Sequence, residues 1–173
     1  MDKHSLQSAM IICFESLFLI FNSKKFETLK NRYQTLKEHL PTLINYESSE
    51  GYIEVFHEAQ AKYQEVWIDR PRDMPDYQTA IVFKPSTFNL EDIYAGCIAV
   101  CVASEIQGLL SKITNYKTNS AKSKKLEDLL IYIDRVLEEL NLYCLTSPRY
   151  ESVVSMILKI KNENIQTQLL TCN

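Results

Sequence analysis

Apolar side chains recur every three or four residues along most of the chain, which is the spacing of one face of an α-helix. A first helix is predicted over about Leu6–Phe21, and a second carries an apolar stripe over Phe26–Leu40. The second helix is expected to end at Pro41, because proline removes a backbone donor, and Thr42–Tyr46 can form one further turn. A third helix is predicted over Ile53–Trp67, whereas residues 77–83 are compatible with either a strand-like connector or a helical turn.

The segment Asn89–Lys112 is predicted to be a helix that is apolar around its whole circumference. Its eleven residues over Ile93–Ala103 carry no charge, and most of them are small. A helix of this kind must be enclosed by other helices or by lipid. A bilayer span needs about 20 such residues, and Asp92 and Glu105 end the run earlier. We therefore expect a central helix surrounded by amphipathic helices, and no membrane span.

The C-terminal third predicts two more helices. A polar, lysine-rich linker is expected over Thr114–Lys125, followed by a helix over Leu126–Tyr143. Leucine, isoleucine and valine form the inward face of that helix, and the acidic residues, Glu138 and Glu139 among them, are placed on its outward face. Ser147-Pro148 predicts the start of the last helix, because proline suits the first helical position.

Composition and charge narrow the class of protein. Three glycines and five prolines in 173 residues favour helices over hairpin-rich sheets. We predict an all-α, single-domain bundle over residues 1–173, with six or seven helices around the central helix of about residues 90–112. A net charge of -3 argues against nucleic-acid binding through phosphate neutralisation. Five cysteines, an odd number, suit reduced thiols and a cytoplasmic location.

The central helix also carries a resemblance. Residues 89–106, Asn-Leu-Glu-Asp-Ile-Tyr-Ala-Gly-Cys-Ile-Ala-Val-Cys-Val-Ala-Ser-Glu-Ile, resemble the central helix of the poxvirus Bcl-2-like proteins, and the helices after it are similar to those of the family over residues up to 161. These proteins are intracellular virulence factors that inhibit host innate signalling or apoptosis. The Asn-Trp-Gly-Arg signature of cellular Bcl-2 proteins is absent, as it is from many poxvirus members that bind signalling adaptors.

The resemblance implies a Bcl-2-like fold and a non-enzymatic interaction module. The implied partners are host signalling or apoptotic proteins, and a homodimer is a further expectation because some members of the family form one. The candidate binding residues are the aromatic side chains of the third helix, Phe56, Tyr63 and Trp67, which can line a groove for a partner helix. Core packing is the alternative explanation of these aromatics.

Two other functions stay open. Arg32 and His39 lie seven residues apart on one face of the second helix, a spacing similar to that of HEPN-type helical ribonucleases. The other alternative is a bacterial helical protein with a regulatory or interaction role, which would share only the general bundle plan.

Two short motifs were considered as metal sites. Glu54-x-x-His57 is the unit that di-iron bundles use twice, but it occurs once here. Cys97 and Cys101 lie one helical turn apart among apolar residues and are interpreted as small buried thiols. The sequence therefore predicts no catalytic residue, no metal site and no cofactor.

Overall fold

The computed structural model describes residues 2–62, 85–87 and 89–172, and every regular element within these ranges is helical. The elements are α1 Lys3–Phe21, α2 Phe26–Tyr46, α3 Tyr52–Lys62, a 3₁₀ turn Pro85–Thr87, α4 Leu90–Ile113, α5 Asn119–Tyr143, α6 Tyr150–Lys159, a π-helical segment Ile160–Gln166 and α7 Thr167–Cys172. The all-α prediction is confirmed for these ranges, and the ambiguous residues 77–83 lie outside them.

The described residues divide into two compact units. The first contains residues 2–23, 27–62 and 85–87, and the second contains residues 24–26 and 89–172. The expectation of one domain over residues 1–173 stays a prediction.

In the first unit, α1 packs against α3. Phe14 and Phe56 meet edge to face with ring centroids 6.0 Å apart, and Lys3 Nζ lies 2.9 Å from Glu54 Oε1. α1 begins three residues earlier than predicted, because the Asp2 carboxylate accepts a 2.7 Å hydrogen bond from the backbone N–H of Ser5. The same hydrogen bond lowers the pKa of Asp2.

The second helix does not end at Pro41, and the turn expected over Thr42–Tyr46 is continuous with it. α2 continues through Pro41 to Tyr46, although an interior proline costs a helix about 3 kcal/mol. Leu40 and Leu43, on either side of the proline, are both buried. Tertiary burial therefore outweighs local propensity at this point.

In the second unit, α4 has the predicted bounds within one residue. The side chain of Asn89 accepts a 3.0 Å hydrogen bond from the backbone N–H of Asp92, which caps the helix. α4 packs against both α5 and α6. Its buried residues are Tyr94, Ala95, Ile98, Cys101, Val102, Ile106 and Ile113.

The predicted lysine-rich linker is wrong over most of its length. α5 begins at Asn119, because the Thr118 hydroxyl accepts a 3.1 Å hydrogen bond from the backbone N–H of Ala121 and caps the helix. Lysine is a good helix former, so Lys122, Lys124 and Lys125 form the first turns of α5.

The last helix is interrupted by a π-helical segment. After α6 the backbone widens over Ile160–Gln166 and then returns to α geometry in α7. Ile165, inside the π segment, is buried, and Lys161 Nζ lies 2.9 Å from Asp134 Oδ1 of α5. The helix continues to Cys172.

Two of the described helices, α1 and α4, are long and apolar enough to cross a membrane by length and composition. Fewer than half of the residues in the apolar window of each helix are buried. Core helices of globular proteins satisfy the same criterion, so the expected absence of a membrane span stays a prediction.

Candidate functional site

Among the described residues, one face of α4 has an exposed apolar side chain, although the sequence predicted that the helix would be enclosed on all sides. Val100 is 67% exposed, the highest value of any large apolar residue on α4. Its neighbours on that face are small or only partly buried, and none is charged. We call this surface the open face of α4; it comprises Ile93, Gly96, Cys97, Val100 and Ala103. Within the part of the chain that the structure describes, α4 is therefore not fully enclosed at Val100, and its residues on that side are apolar.

Arg149 lies at the N-terminal end of the open face. Its Nε is 3.3 Å from Asp92 Oδ2, and about half of its side chain is exposed. The guanidinium crosses the helix at Gly96, where a Cβ atom would lie 2.5 Å from Nη1 of Arg149. A glycine is therefore required at position 96 for this arrangement of Arg149.

Hydroxyl groups in the segment between α5 and α6 form hydrogen bonds with the first turn of α4. Ser147 Oγ donates a 3.1 Å hydrogen bond to Asp92 Oδ1, and the Thr146 hydroxyl donates one to Glu91. Both carboxylates lie in the first helical turn, where negative charge is favourable. These contacts fix the segment that carries Arg149. Neither the Asp92–Arg149 ion pair nor the role of Gly96 was predicted from sequence, because their partners are more than fifty positions apart.

Glu139 is buried, which corrects its predicted place on the outward face of α5. It is 4% exposed, and its Oε1 accepts a 2.8 Å hydrogen bond from the hydroxyl of Tyr94 on α4. A buried carboxylate requires such a donor. The sequence signal was the position of Glu139 between Val136 and Leu140 of the buried stripe, at its edge.

A shallow pocket lies between α4 and α5, with a volume of about 150 Å³. Glu105 at its edge accepts hydrogen bonds from the hydroxyl of Tyr132 and, at 3.4 Å, from the backbone N–H of Phe26, a residue of the second unit. Ligand pockets usually measure about 300–1,000 Å³. The size of this pocket does not favour a small-molecule site.

The predicted aromatic groove is described only at Phe56. This side chain is buried in the first unit, between the rings of Phe14 and His57. Tyr63 and Trp67 lie outside the described residues. The groove of Phe56, Tyr63 and Trp67 stays a prediction.

Arg32 has a structural partner at the end of α1. Its Nη1 donates hydrogen bonds of 2.7 Å to the carbonyl oxygen of Leu19 and 3.0 Å to Ser23 Oγ. His39 lies two turns further along α2, where its Nδ1 is 2.8 Å from the carbonyl oxygen of Thr35. The Arg32 guanidinium thus donates to a backbone carbonyl near the end of α1. Arg32 and His39 therefore have separate hydrogen-bond partners.

Among the described residues, neither the Glu54–His57 motif nor the Cys97–Cys101 pair is arranged as a metal site. Glu54 forms an ion pair with Lys3, which lowers the pKa of the carboxyl, and His57 is exposed. Within the described ranges, no three His, Cys, Asp or Glu side chains are placed to hold a metal ion. Cys101 is buried, as predicted, whereas Cys97 is partly exposed.

Comparison with known proteins gives no relative. No protein-family model matches the chain, and neither a curated protein nor a solved structure matches it. The poxvirus Bcl-2-like resemblance therefore rests on the sequence of residues 89–161 alone.

Proposed function

We propose that the protein is a non-enzymatic interaction module that acts in the host cytosol and inhibits innate signalling or apoptosis by binding host proteins. The proposal joins the resemblance to poxvirus Bcl-2-like proteins with the open face of α4. The observation that carries it is the exposure of Val100, 67%, on a helix face without charges. Interaction sites are commonly built on exposed apolar surface.

The shape of the open face suits a partner helix. Cys97 and Ala103 have short side chains, so the backbone of a second helix can approach α4 closely beside Val100. An amphipathic partner would place its larger apolar side chains beside Val100. Arg149, half exposed at one end of the face, has guanidinium donors for an acidic residue of that partner.

Affinity capture from mammalian cells tests the proposal, with Val100→Glu as the disruptive variant. Ile53→Glu is the matched control, because Ile53 is also an exposed aliphatic residue on a helix, at 56% exposure. We expect apoptotic regulators or innate-signalling adaptors with the wild type and with Ile53→Glu, and their loss with Val100→Glu. With the purified partner, Val100→Glu should weaken binding at least about tenfold.

Two outcomes contradict the proposal. Recovery of no such host protein by the wild type removes the proposed function. Equal binding by wild type and Val100→Glu removes the open face of α4 as the surface. In that case Trp67→Ala becomes the informative variant, because it tests the predicted aromatic groove.

A further inference from the structure

One end of the second unit carries positive charges without negative ones. Residues 106–126, where α4 ends and α5 begins, contain no acidic residue, although the whole chain has a net charge of -3. The charged side chains of this stretch are all lysines, exposed or partly exposed, and we call them the lysine cluster: Lys112, Lys117, Lys122, Lys124 and Lys125. Among the described residues, none of these side chains has an ion-pair or hydrogen-bond partner.

The last helix brings an exposed apolar side chain to the same end. A cavity there is lined by Ile113 of α4, Lys122 of α5 and Thr171 of α7, so these three helices meet beside the lysine cluster. Leu170, next to Thr171, is 77% exposed, the highest value of any large apolar residue in the described ranges. Tyr116, in the connection between α4 and α5, is half-buried. An exposed leucine and a tyrosine therefore accompany the unpaired lysines.

We propose that this end of the second unit binds the surface of a membrane that contains anionic lipids. Clusters of about 4–8 basic residues are attracted to negatively charged headgroups. Peripheral binding also depends on the apolar area that enters the boundary between headgroups and acyl chains, and Leu170 supplies such a contact. This inference does not depend on the proposed function, because it concerns a different surface and requires no host protein.

The combination of charge and exposed leucine favours a lipid surface over other anionic partners. Nucleic acids bind lysines through their phosphates, and Leu170 adds nothing to such a contact. A protein partner presents charges at fixed positions, which its interface matches patch by patch. A cluster of one sign over residues 106–126, with a leucine beside it, is complementary to a continuous negative surface above an apolar layer.

Sedimentation of the purified protein with lipid vesicles tests the contribution of charge. Equimolar phosphatidylserine and phosphatidylcholine provide the anionic surface, and phosphatidylcholine alone provides the neutral one. The wild type should bind the anionic vesicles at least about tenfold more strongly, and added salt should weaken this binding because it screens the charges. Lys117→Glu and Lys124→Glu, at exposed positions of the cluster, should each weaken it at least about fivefold.

The matched control for these charge reversals is Lys159→Glu. Lys159 is also exposed, at the end of α6, but it lies roughly 15 Å along the helix from Leu170, beyond the Debye length of about 10 Å. This control should change binding to anionic vesicles by less than about twofold. Circular dichroism establishes that each variant is folded.

Leu170→Ser tests the apolar contact without a change of charge. It should weaken binding to anionic vesicles at least about fivefold, because the leucine leaves water when the protein binds. Leu145→Ser is the matched control: Leu145 is 58% exposed but follows the opposite end of α5, in the connection to α6. This variant should bind as the wild type does.

Three results overturn the proposal. The first is a wild type that does not bind anionic vesicles, or that binds neutral vesicles equally well. The second is an equal loss of binding in Lys117→Glu and Lys159→Glu, which would remove the lysine cluster as the surface. The third is unchanged vesicle binding by Leu170→Ser together with equally strong binding of polyuridylate, which would assign the cluster to a nucleic acid.

Discussion

The hydroxyl of Tyr94 donates a 2.8 Å hydrogen bond to Oε1 of Glu139, and both side chains are buried where α4 packs against α5. Removing the donor leaves a buried carboxylate with one partner fewer. We therefore expect Tyr94→Phe to lower the free energy of unfolding by about 1–3 kcal/mol. Urea denaturation measures the change.

A matched control for Tyr94→Phe is Tyr150→Phe, because the hydroxyl of Tyr150 is 3.4 Å from Asn141 in an exposed setting. The control should change the free energy of unfolding by less than about 0.5 kcal/mol. Equal losses in the two variants would show that the Glu139 carboxylate does not depend on Tyr94.

The two glycines of α4 should respond differently to alanine. A Cβ at Gly108 meets no atom within 4 Å, whereas one at Gly96 would lie 2.5 Å from Nη1 of Arg149. Gly108→Ala should raise the free energy of unfolding by about 0.5–1 kcal/mol, because alanine loses less backbone entropy in a helix. Gly96→Ala should give a smaller gain or a loss, since it displaces Arg149 from Asp92.

A double-mutant cycle checks the glycine prediction. In an Arg149→Ala background, Gly96→Ala should recover the gain expected for Gly108→Ala, because the displaced side chain is gone. Thermal or urea unfolding of the four proteins gives the coupling. A cycle without coupling would mean that Arg149 does not determine the cost at position 96.

The five cysteines should divide into two reactive and three protected thiols. Cys13, Cys101 and Cys144 are buried, and burial raises their pKa to about 12, 11 and 12, respectively. Because the thiolate is the nucleophile, a higher pKa lowers reactivity. At pH 8 only about one in 1,000 Cys101 groups is ionised.

Titration with a thiol reagent at pH 8 measures this division. Cys97 and Cys172 are partly exposed and should react first, and all five thiols should react in guanidinium chloride. Rapid modification of Cys101 in the folded protein, identified by mass spectrometry of peptides, would contradict its burial in the second unit.

Arg32 should matter for stability rather than for RNA cleavage. Arg32→Ala removes hydrogen bonds to Leu19 and Ser23, so we expect a loss of about 1–3 kcal/mol in the free energy of unfolding. His39→Ala should cost less, because it removes one local contact with Thr35. RNA cleavage by the wild type that is abolished in folded His39→Ala would instead favour the ribonuclease alternative.

Local signals were sufficient to predict α4 and insufficient to predict the start of α5. The uncharged run between Asp92 and Glu105 favours a helix, and the asparagine cap at Asn89 fixes the beginning of that helix. The lysines before Leu126 were interpreted as a linker because they are polar, although lysine favours helices and Thr118 supplies the cap. Polarity indicates exposure, and exposure does not exclude a helix.

The polar contacts of the candidate site could not be predicted in the same way. The burial of Glu139 depends on Tyr94, forty-five positions earlier, and the place of Arg149 depends on Gly96 and Asp92 of another helix. Such pairs are determined by how helices pack, and a periodicity along one helix contains no information about the other. The open face of α4 could not be predicted for the same reason. The composition of a helix shows that it is apolar but does not show which of its faces another helix covers.

The π-helical segment has a consequence for changes in chain length. Ile157 and Ile165 are both buried, yet eight residues of continuous α-helix would turn them about 80° apart. One residue absorbed by the wider π turn reduces this offset to about 20°. The segment therefore behaves as an accommodated insertion. Deletion of a single residue within Ile160–Gln166 would give a continuous α-helix and leave α7 with nearly the same side chains facing α5.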